Sequence, residues 1–171
     1  MKVRGFEVAR GWEDKGIRLP RRSTAHAAAY DLEAAEDVVV PVFHPGVKPT
    51  MIPTGLKAYC QPDEYYIIAN RSSGAGKGLV TANGIGIIDA DYYGNPSNDG
   101  HFQVLVFNVL DHEITVKKGE RVAQLIFQKF LLADGDVAGG KRKGGFGSTD
   151  TDGDAATVPR SDEGLEVDKE E

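Results

Sequence analysis

Apolar and polar positions alternate along this chain in short runs, and most runs end in glycine, proline or a polar cluster. Residues 2–9 set Val3, Phe6 and Val8 against charged neighbours, the two-residue period of a half-buried strand. A basic, irregular arm follows over 10–25, with Arg18, Arg21 and Arg22 around Pro20. Residues 26–34 are small and apolar up to Tyr30-Asp31-Leu32, and 38–42 are β-branched and end against Pro41 and Pro45. Residues 51–59 and 65–69 read as further strands, separated by the turn-forming Gln61-Pro62-Asp63-Glu64. Residues 103–109 are apolar on both faces, which predicts a central strand. Ile114–Val116 is short, and 122–130 form a long apolar run. No long window sustains a helical period, and many short strands at roughly 8–12-residue spacing predict an all-β sandwich or barrel with little helix.

Composition sharpens this picture. At 171 residues the chain has room for one well-cored domain. Its 21 glycines are well above the usual ~7% and require many tight turns. The formal charge of −6 is uneven: from Asp150 onward there are nine acids and two bases, while residues 1–149 carry 18 bases and 17 acids. The division expected is therefore a β-domain over 1–138, a glycine-rich closing arm over 139–150 and an acidic, disordered tail over 151–171. A neutral body argues against nucleic acid as a partner. No apolar stretch approaches the ~18 residues of a membrane span, and the N-terminus has no apolar signal core. Cys60, the sole cysteine, permits no intrachain disulfide and fits a reducing cytoplasm.

Three stretches could carry chemistry. The run 84–94, Gly-Ile-Gly-Ile-Ile-Asp-Ala-Asp-Tyr-Tyr-Gly, delivers Asp89, Asp91, Tyr92 and Tyr93 at the end of an apolar strand. Acids at such a turn are held rigidly, as a general base needs; the plain alternative is a hairpin whose acids face water. Residues 71–78, Arg-Ser-Ser-Gly-Ala-Gly-Lys-Gly, form a glycine loop with two hydroxyls and two cations suited to a polyphosphate, though not a Walker loop. Residues 139–149 carry Lys141, Arg142, Lys143, Phe146, Ser148 and Thr149 among glycines. Such an arm could close over a nucleotide, its aromatic stacking on a base; otherwise it is a basic linker. The four histidines have no ligand spacing, and Cys60 reads as core.

Taken in order, these segments resemble the five motifs of the trimeric dUTPase family, the deoxyuridine triphosphate nucleotidohydrolases. Residues 28–34 (Ala-Ala-Tyr-Asp-Leu-Glu-Ala) are similar to the first motif, and Arg71-Ser72-Ser73 with Ala75 and Lys77 to the second. Residues 86–94 resemble the third, 118–126 (Lys-Gly-Glu-Arg-Val-Ala-Gln-Leu-Ile) the fourth, and 144–149 (Gly-Gly-Phe-Gly-Ser-Thr) the fifth. The resemblance covers residues 1–149. It implies a jelly-roll-like fold, a distorted β-barrel or sandwich, assembled as a homotrimer with active sites shared between subunits. It implies Mg²⁺-assisted hydrolysis of dUTP to dUMP and pyrophosphate, which limits uracil in DNA and supplies dUMP for thymidylate synthesis.

By motif match, Asp89 would be the base for a water attacking the α-phosphorus, and Asp31 would hold metal-bound water. Arg71, Ser72 and Gln124 would contact phosphates, and Ser73 would also bind substrate. Asn83 would bond the uracil edge, and Tyr92 would pack under the deoxyribose and exclude a ribose 2′-hydroxyl. Phe146 would stack on uracil, Gly147 would also bind substrate, and Ser148 and Thr149 would hold the terminal phosphate. Lys141 stands where the family usually has arginine and Arg142 one position later, so either is the candidate for the γ-phosphate. Ala29, Asn70 and Ser73-Gly74 also depart from the usual residues, and 95–101 is longer than the usual link, a surface loop or a partner contact. The related dCTP deaminases need a glutamate soon after the third motif, and 95–109 contains none. A dUTPase-fold regulator acting through protein partners is the other alternative.

Overall fold

A computed structural model describes residues 2–142 together with 144 and 145. Among these, eleven strands follow one another with very little helix: β1 (Gly5–Val8), β2 (Tyr30–Glu33), β3 (Val38–Val40), β4 (Thr50–Pro53), β5 (Leu56–Tyr59), β6 (Glu64–Ala69), then the one-turn helix α1 (Ser72–Gly76), β7 (Leu79–Thr81), β8 (Ile85–Asp89), β9 (Gln103–Asn108), β10 (Ile114–Val116) and β11 (Arg121–Lys129). The strands pair antiparallel in four sheets, ordered β1-β5, β10-β3, β2-β11-β6-β8 and β4-β9-β7. This is the all-β, jelly-roll-like architecture expected.

Alternation sets which face each strand buries. In β6, Glu64, Tyr66 and Ile68 point inward; in β9, Val104, Val106 and Asn108 do. Tyr66, Ile68, Val104 and Val106 meet Leu32, Ile52, Leu56, Phe102 and Leu125 in one core. β9 is the middle strand of its sheet, as its two-sided apolarity predicts. β11 is long because it pairs on both sides, with β2 and with β6, and a bulge between Arg121 and Ala123 turns both Val122 and Ala123 inward. Glu64 is 2% exposed yet charged, because the Arg4 guanidinium donates from Nε to both of its oxygens (2.7 and 2.8 Å) and holds its carboxyl below the usual range.

Three local expectations are corrected. Residues 51–59 are two strands rather than one. Gly55 turns the chain at φ +69°, and the Thr54 N–H (3.2 Å) and hydroxyl (2.7 Å) both donate to the Phe102 carbonyl at the break. Part of the 72–78 glycine loop is helical: Ser72–Gly76 close a turn because Asn70 donates to the Leu79 carbonyl (3.0 Å) and ties the two ends together. The 95–101 segment is only partly a surface loop, since Asn95 and His101 are buried against the core. Cys60 packs against the core and burial pushes its thiol pKa up, as expected for a packing residue. No helix among the described residues is long and apolar enough to cross a membrane.

Candidate active site

β8 pairs with β6 from Ile85↔Ala69 to Asp89↔Tyr65, so its last residue, Asp89, is carried to the far end of the sheet. A 3-10 turn, Ala90–Tyr92, follows at once and drives Tyr92 inward to 6% exposure while Asp89 and Asp91 remain largely open to solvent. The Tyr92 ring lies parallel to Phe102, with centroids 6.4 Å apart. Asn83 sits in the turn that opens β8, where its carbonyl accepts the Ile85 N–H (2.8 Å). Asn83, Gly86, Asp89 and Tyr92 border one cavity of about 240 Å³.

The glycine arm reaches the same cavity, which Arg142 and Gly145 also line. Arg142 is placed between the two acids: Nε donates to Asp91 at 2.6 Å, and Nη2 donates to Asp89. Gly145 lies so close over Tyr92 that a Cβ there would sit 2.7 Å from the ring, so only glycine fits without displacing it. Lys141 is exposed. Phe146, Gly147, Ser148 and Thr149 lie outside the described residues, so the arm is described only up to Gly145.

A second cluster forms around β2. Asp31 accepts from Arg71 Nε (2.7 Å) and from Ser23 (3.2 Å), with Arg121 Nη1 at 3.3 Å. Arg71 also donates to the Ser73 hydroxyl (3.3 Å), and Gln124 donates to the Asn70 carbonyl (2.9 Å). Ser72 and Ser73 are exposed at the start of α1. Asp31, Gln124 and Ala69 are register partners across β2, β11 and β6, and Ile85 of β8 completes the row. These residues therefore share the outer face of the sheet with Asp89, which lies at an even offset from Ile85.

The two clusters remain apart within one chain. Asp89 is four residues along the sheet from the Gln124 row and two strands over, roughly 13 Å along and roughly 10 Å across. One side holds the acid and the aromatic; the other holds Arg71, Arg121, two hydroxyls and an amide. Motif reading named both sets. It gave Asp91 and Arg121 no role of their own and did not anticipate that Arg142 contacts acids. The only sequence signal for that last pairing is charge complementarity across 53 residues, which is unspecific.

An all-β chain that ends a strand in an acid beside an aromatic cavity, and gathers cations and hydroxyls on the same sheet face, has the makings of a nucleoside polyphosphate enzyme. The comparisons narrow that class. A family model described as dUTPase matches residues 15–149. The deoxyuridine 5′-triphosphate nucleotidohydrolase of Lactococcus lactis is 51% identical over 152 residues, covering 87% of this chain and 99% of that protein. The crystal structure of the dUTPase from Streptococcus mutans superimposes with a TM-score of 0.71 at 43% identity, over 77% of this chain and 99% of that one. A phage phi11 dUTPase, described with a structural Mg(II) ion, has a TM-score of 0.61 at 17% identity over 80% of this chain and 97% of that one, a likeness of fold alone. The chain belongs to the dUTPase family.

Proposed function

We propose that this chain hydrolyses dUTP to dUMP and pyrophosphate, with Asp89 as the general base. Family membership, with a relative 51% identical across almost its whole length, supports the substrate and reaction. The observation that carries the mechanism is Asp89 at the end of β8, on the rim of a cavity that also holds Asn83 and Tyr92. Asp89 takes the proton of a water as it attacks the α-phosphorus, and its open carboxylate is free to reach that water once Arg142 moves aside. A placed base contributes about 10²–10⁴-fold; positioning and charge neutralisation supply the rest.

In this reading Asn83 bonds the uracil edge, so that cytosine leaves buried polar groups unpaired. Tyr92 floors the sugar. Arg71, Ser72, Ser73 and Gln124 take the phosphates, and Arg142 leaves the two acids for the γ-phosphate. Phe146 stacks on uracil, with Gly147, Ser148 and Thr149 beyond it. Arg142 is favoured over Lys141 for the phosphate because it already lies in the cavity and offers a planar fork.

The separation of the two clusters supports a site completed by neighbouring subunits of a homotrimer, in which the Asp31–Arg71–Gln124 side of one chain faces the Asp89 side of another. The exposed Ile85 and Ile87 on the outer face of β8 (56% and 60%) suit burial against such a neighbour. For Mg²⁺, the described residues contain no cluster of three or more ligating side chains. Mg²⁺ is commonly held by substrate phosphates and one or two carboxylates with waters retained, and Asp31, whose oxygens already accept from Arg71 and Ser23, fits as an acceptor from those waters. When bound, the ion neutralises phosphate charge and fixes the triphosphate's orientation. A cytoplasmic location fits the sole cysteine.

Hydrolysis in ¹⁸O-labelled water tests the mechanism: the label is expected in dUMP. Label in pyrophosphate would place the attack on the β-phosphorus and remove the role given to Asp89.

A further inference from the structure

The loop at 95–100, longer than the link expected there, is built around the hydroxyl of Tyr92. We propose that Asn98 is a positioning residue for sugar selection, holding the Tyr92 ring in place through its hydroxyl; the inference rests on Tyr92 being the residue that excludes a ribose.

The side-chain amide of Asn98 donates from Nδ2 to Tyr92 Oη at 2.7 Å, and Oη donates in turn to the His101 carbonyl at 3.3 Å. The orientation of that amide is fixed by its other partners. Asn98 Oδ1 accepts the Gly100 N–H (3.1 Å) and Asn95 Nδ2 (2.8 Å), so the nitrogen must face Tyr92. Asn95 is fixed the same way: its Oδ1 accepts the N–H groups of Ser97 (3.1 Å) and Asn98 (3.2 Å) and the Ser97 hydroxyl (2.9 Å). Its Nδ2 also donates to the Tyr92 carbonyl (2.8 Å). The loop thus grips both ends of Tyr92, backbone and hydroxyl, through a chain of bonds that polarise one another.

The loop is itself anchored. Asp99, in the left-handed region at φ +62°, accepts from Lys57 Nζ of β5 (2.8 Å) and from the Arg10 N–H (2.9 Å). Gly100, at φ +83°, lies so close that a Cβ would meet the Tyr92 carbonyl at 2.7 Å. With Phe102 parallel to the ring and Gly145 against its edge, the hydroxyl bonds remove the remaining freedom to tilt.

That rigidity bears on selectivity. An apolar wall that merely lacks room for one added hydroxyl discriminates by only about 10²-fold, and less if the wall can yield. A ring pinned at its hydroxyl cannot yield to a 2′-hydroxyl, whereas a ring with a free end can.

The test compares kcat/KM for dUTP with that for UTP in the full chain. Asn98→Ala is expected to lower the dUTP/UTP ratio by about tenfold, the size of one hydrogen bond, through KM rather than kcat. Tyr92→Phe removes the same bond from the other side, along with the longer bond to the His101 carbonyl, and is expected to give at least the same fall, so it reads the bond even if Asn98→Ala folds poorly. Asn98→Ala added to Tyr92→Phe is then expected to change nothing further. An unchanged ratio in Tyr92→Phe, or additive losses in the double variant, would overturn the proposal. Tyr92→Leu separates this failure from that of the underlying reading. A ratio that collapses in Tyr92→Leu but holds in Tyr92→Phe removes Asn98's role alone; a ratio that holds in both removes Tyr92 as the sugar gate.

Discussion

The guanidinium of Arg142 is bonded to the carboxylate of Asp89, the acid proposed as general base. The same guanidinium donates to Asp91 at 2.6 Å, so one cation serves two acids 53 and 51 residues away in sequence. In this state the base is occupied and the arm lies over the Tyr92 cavity. Under the role proposed for Arg142 at the γ-phosphate, its move to the substrate and the release of Asp89 are one event. This relationship orders the expected effects of mutation.

Asp89→Asn keeps the size of the side chain and removes its basicity. Turnover is expected to fall by about 10²–10⁴-fold while binding of a non-hydrolysable dUTP analogue stays nearly intact. Single-turnover pyrophosphate release and analogue titration check the two halves, and retained turnover would remove Asp89 as the base.

Arg142→Ala frees both acids but removes the cation proposed for the γ-phosphate. The net result expected is a loss of at least about tenfold in kcat/KM for dUTP. Arg142→Lys should recover little, because an ammonium cannot make the planar two-pronged contact. Lys141→Ala, at an exposed position, is expected to cost much less. Steady-state kinetics on the three variants decide which cation serves; the reverse ranking would return the role to Lys141.

Removing residues 139–149 takes away Arg142, Gly145 and the proposed uracil-stacking Phe146 together, and hydrolysis should become barely measurable. A chain ending at 151, which lacks only the acidic segment, should hydrolyse dUTP at close to the full rate. Kinetics on the two truncations, with melting temperatures to confirm folding, check the division of labour.

His101 makes stability depend on pH. It is buried, lies beside Trp12 with ring centroids 5.1 Å apart, and accepts the Gly55 N–H at 2.9 Å through Nε2. Burial lowers its pKa to about 4, against about 6.5 when unfolded. Because the folded value is the lower one, the contribution is present above pH 6.5 and is lost as pH falls toward 4. Unfolding free energies from urea titrations should decline between pH 7 and pH 5 by on the order of 2 kcal/mol from this group. His101→Gln should flatten that part of the slope, and an unchanged slope would show that other groups carry it.

The parts of the fold legible in the sequence are those where alternation and burial agree. β6 and β9 are plain because their runs of apolar and aromatic residues, Tyr65–Ala69 and Val104–Phe107, coincide with the buried stretches. The break at Thr54-Gly55 was hidden because the flanking Ile52 and Leu56 are both apolar and both buried, so composition runs on where the backbone turns. The helix Ser72–Gly76 escaped notice because glycine and serine favour turns, and what closes it is the contact from Asn70 to Leu79, which no local pattern encodes. The same holds at the site. Motif order is enough to propose Asp89, Tyr92, Arg71 and Gln124. Asn98's grip on Tyr92 and Arg142's on Asp89 are side-chain pairings that exist only once β8, the 95–100 loop and the arm have been brought together.

The central claim is that this cavity turns over one nucleotide by one reaction. Pyrophosphate release by the full chain, measured side by side with dUTP, dCTP, dTTP and UTP, tests it most directly. The account predicts rapid release from dUTP and little from the other three. Equal release from UTP or dCTP, or none from dUTP, would contradict it.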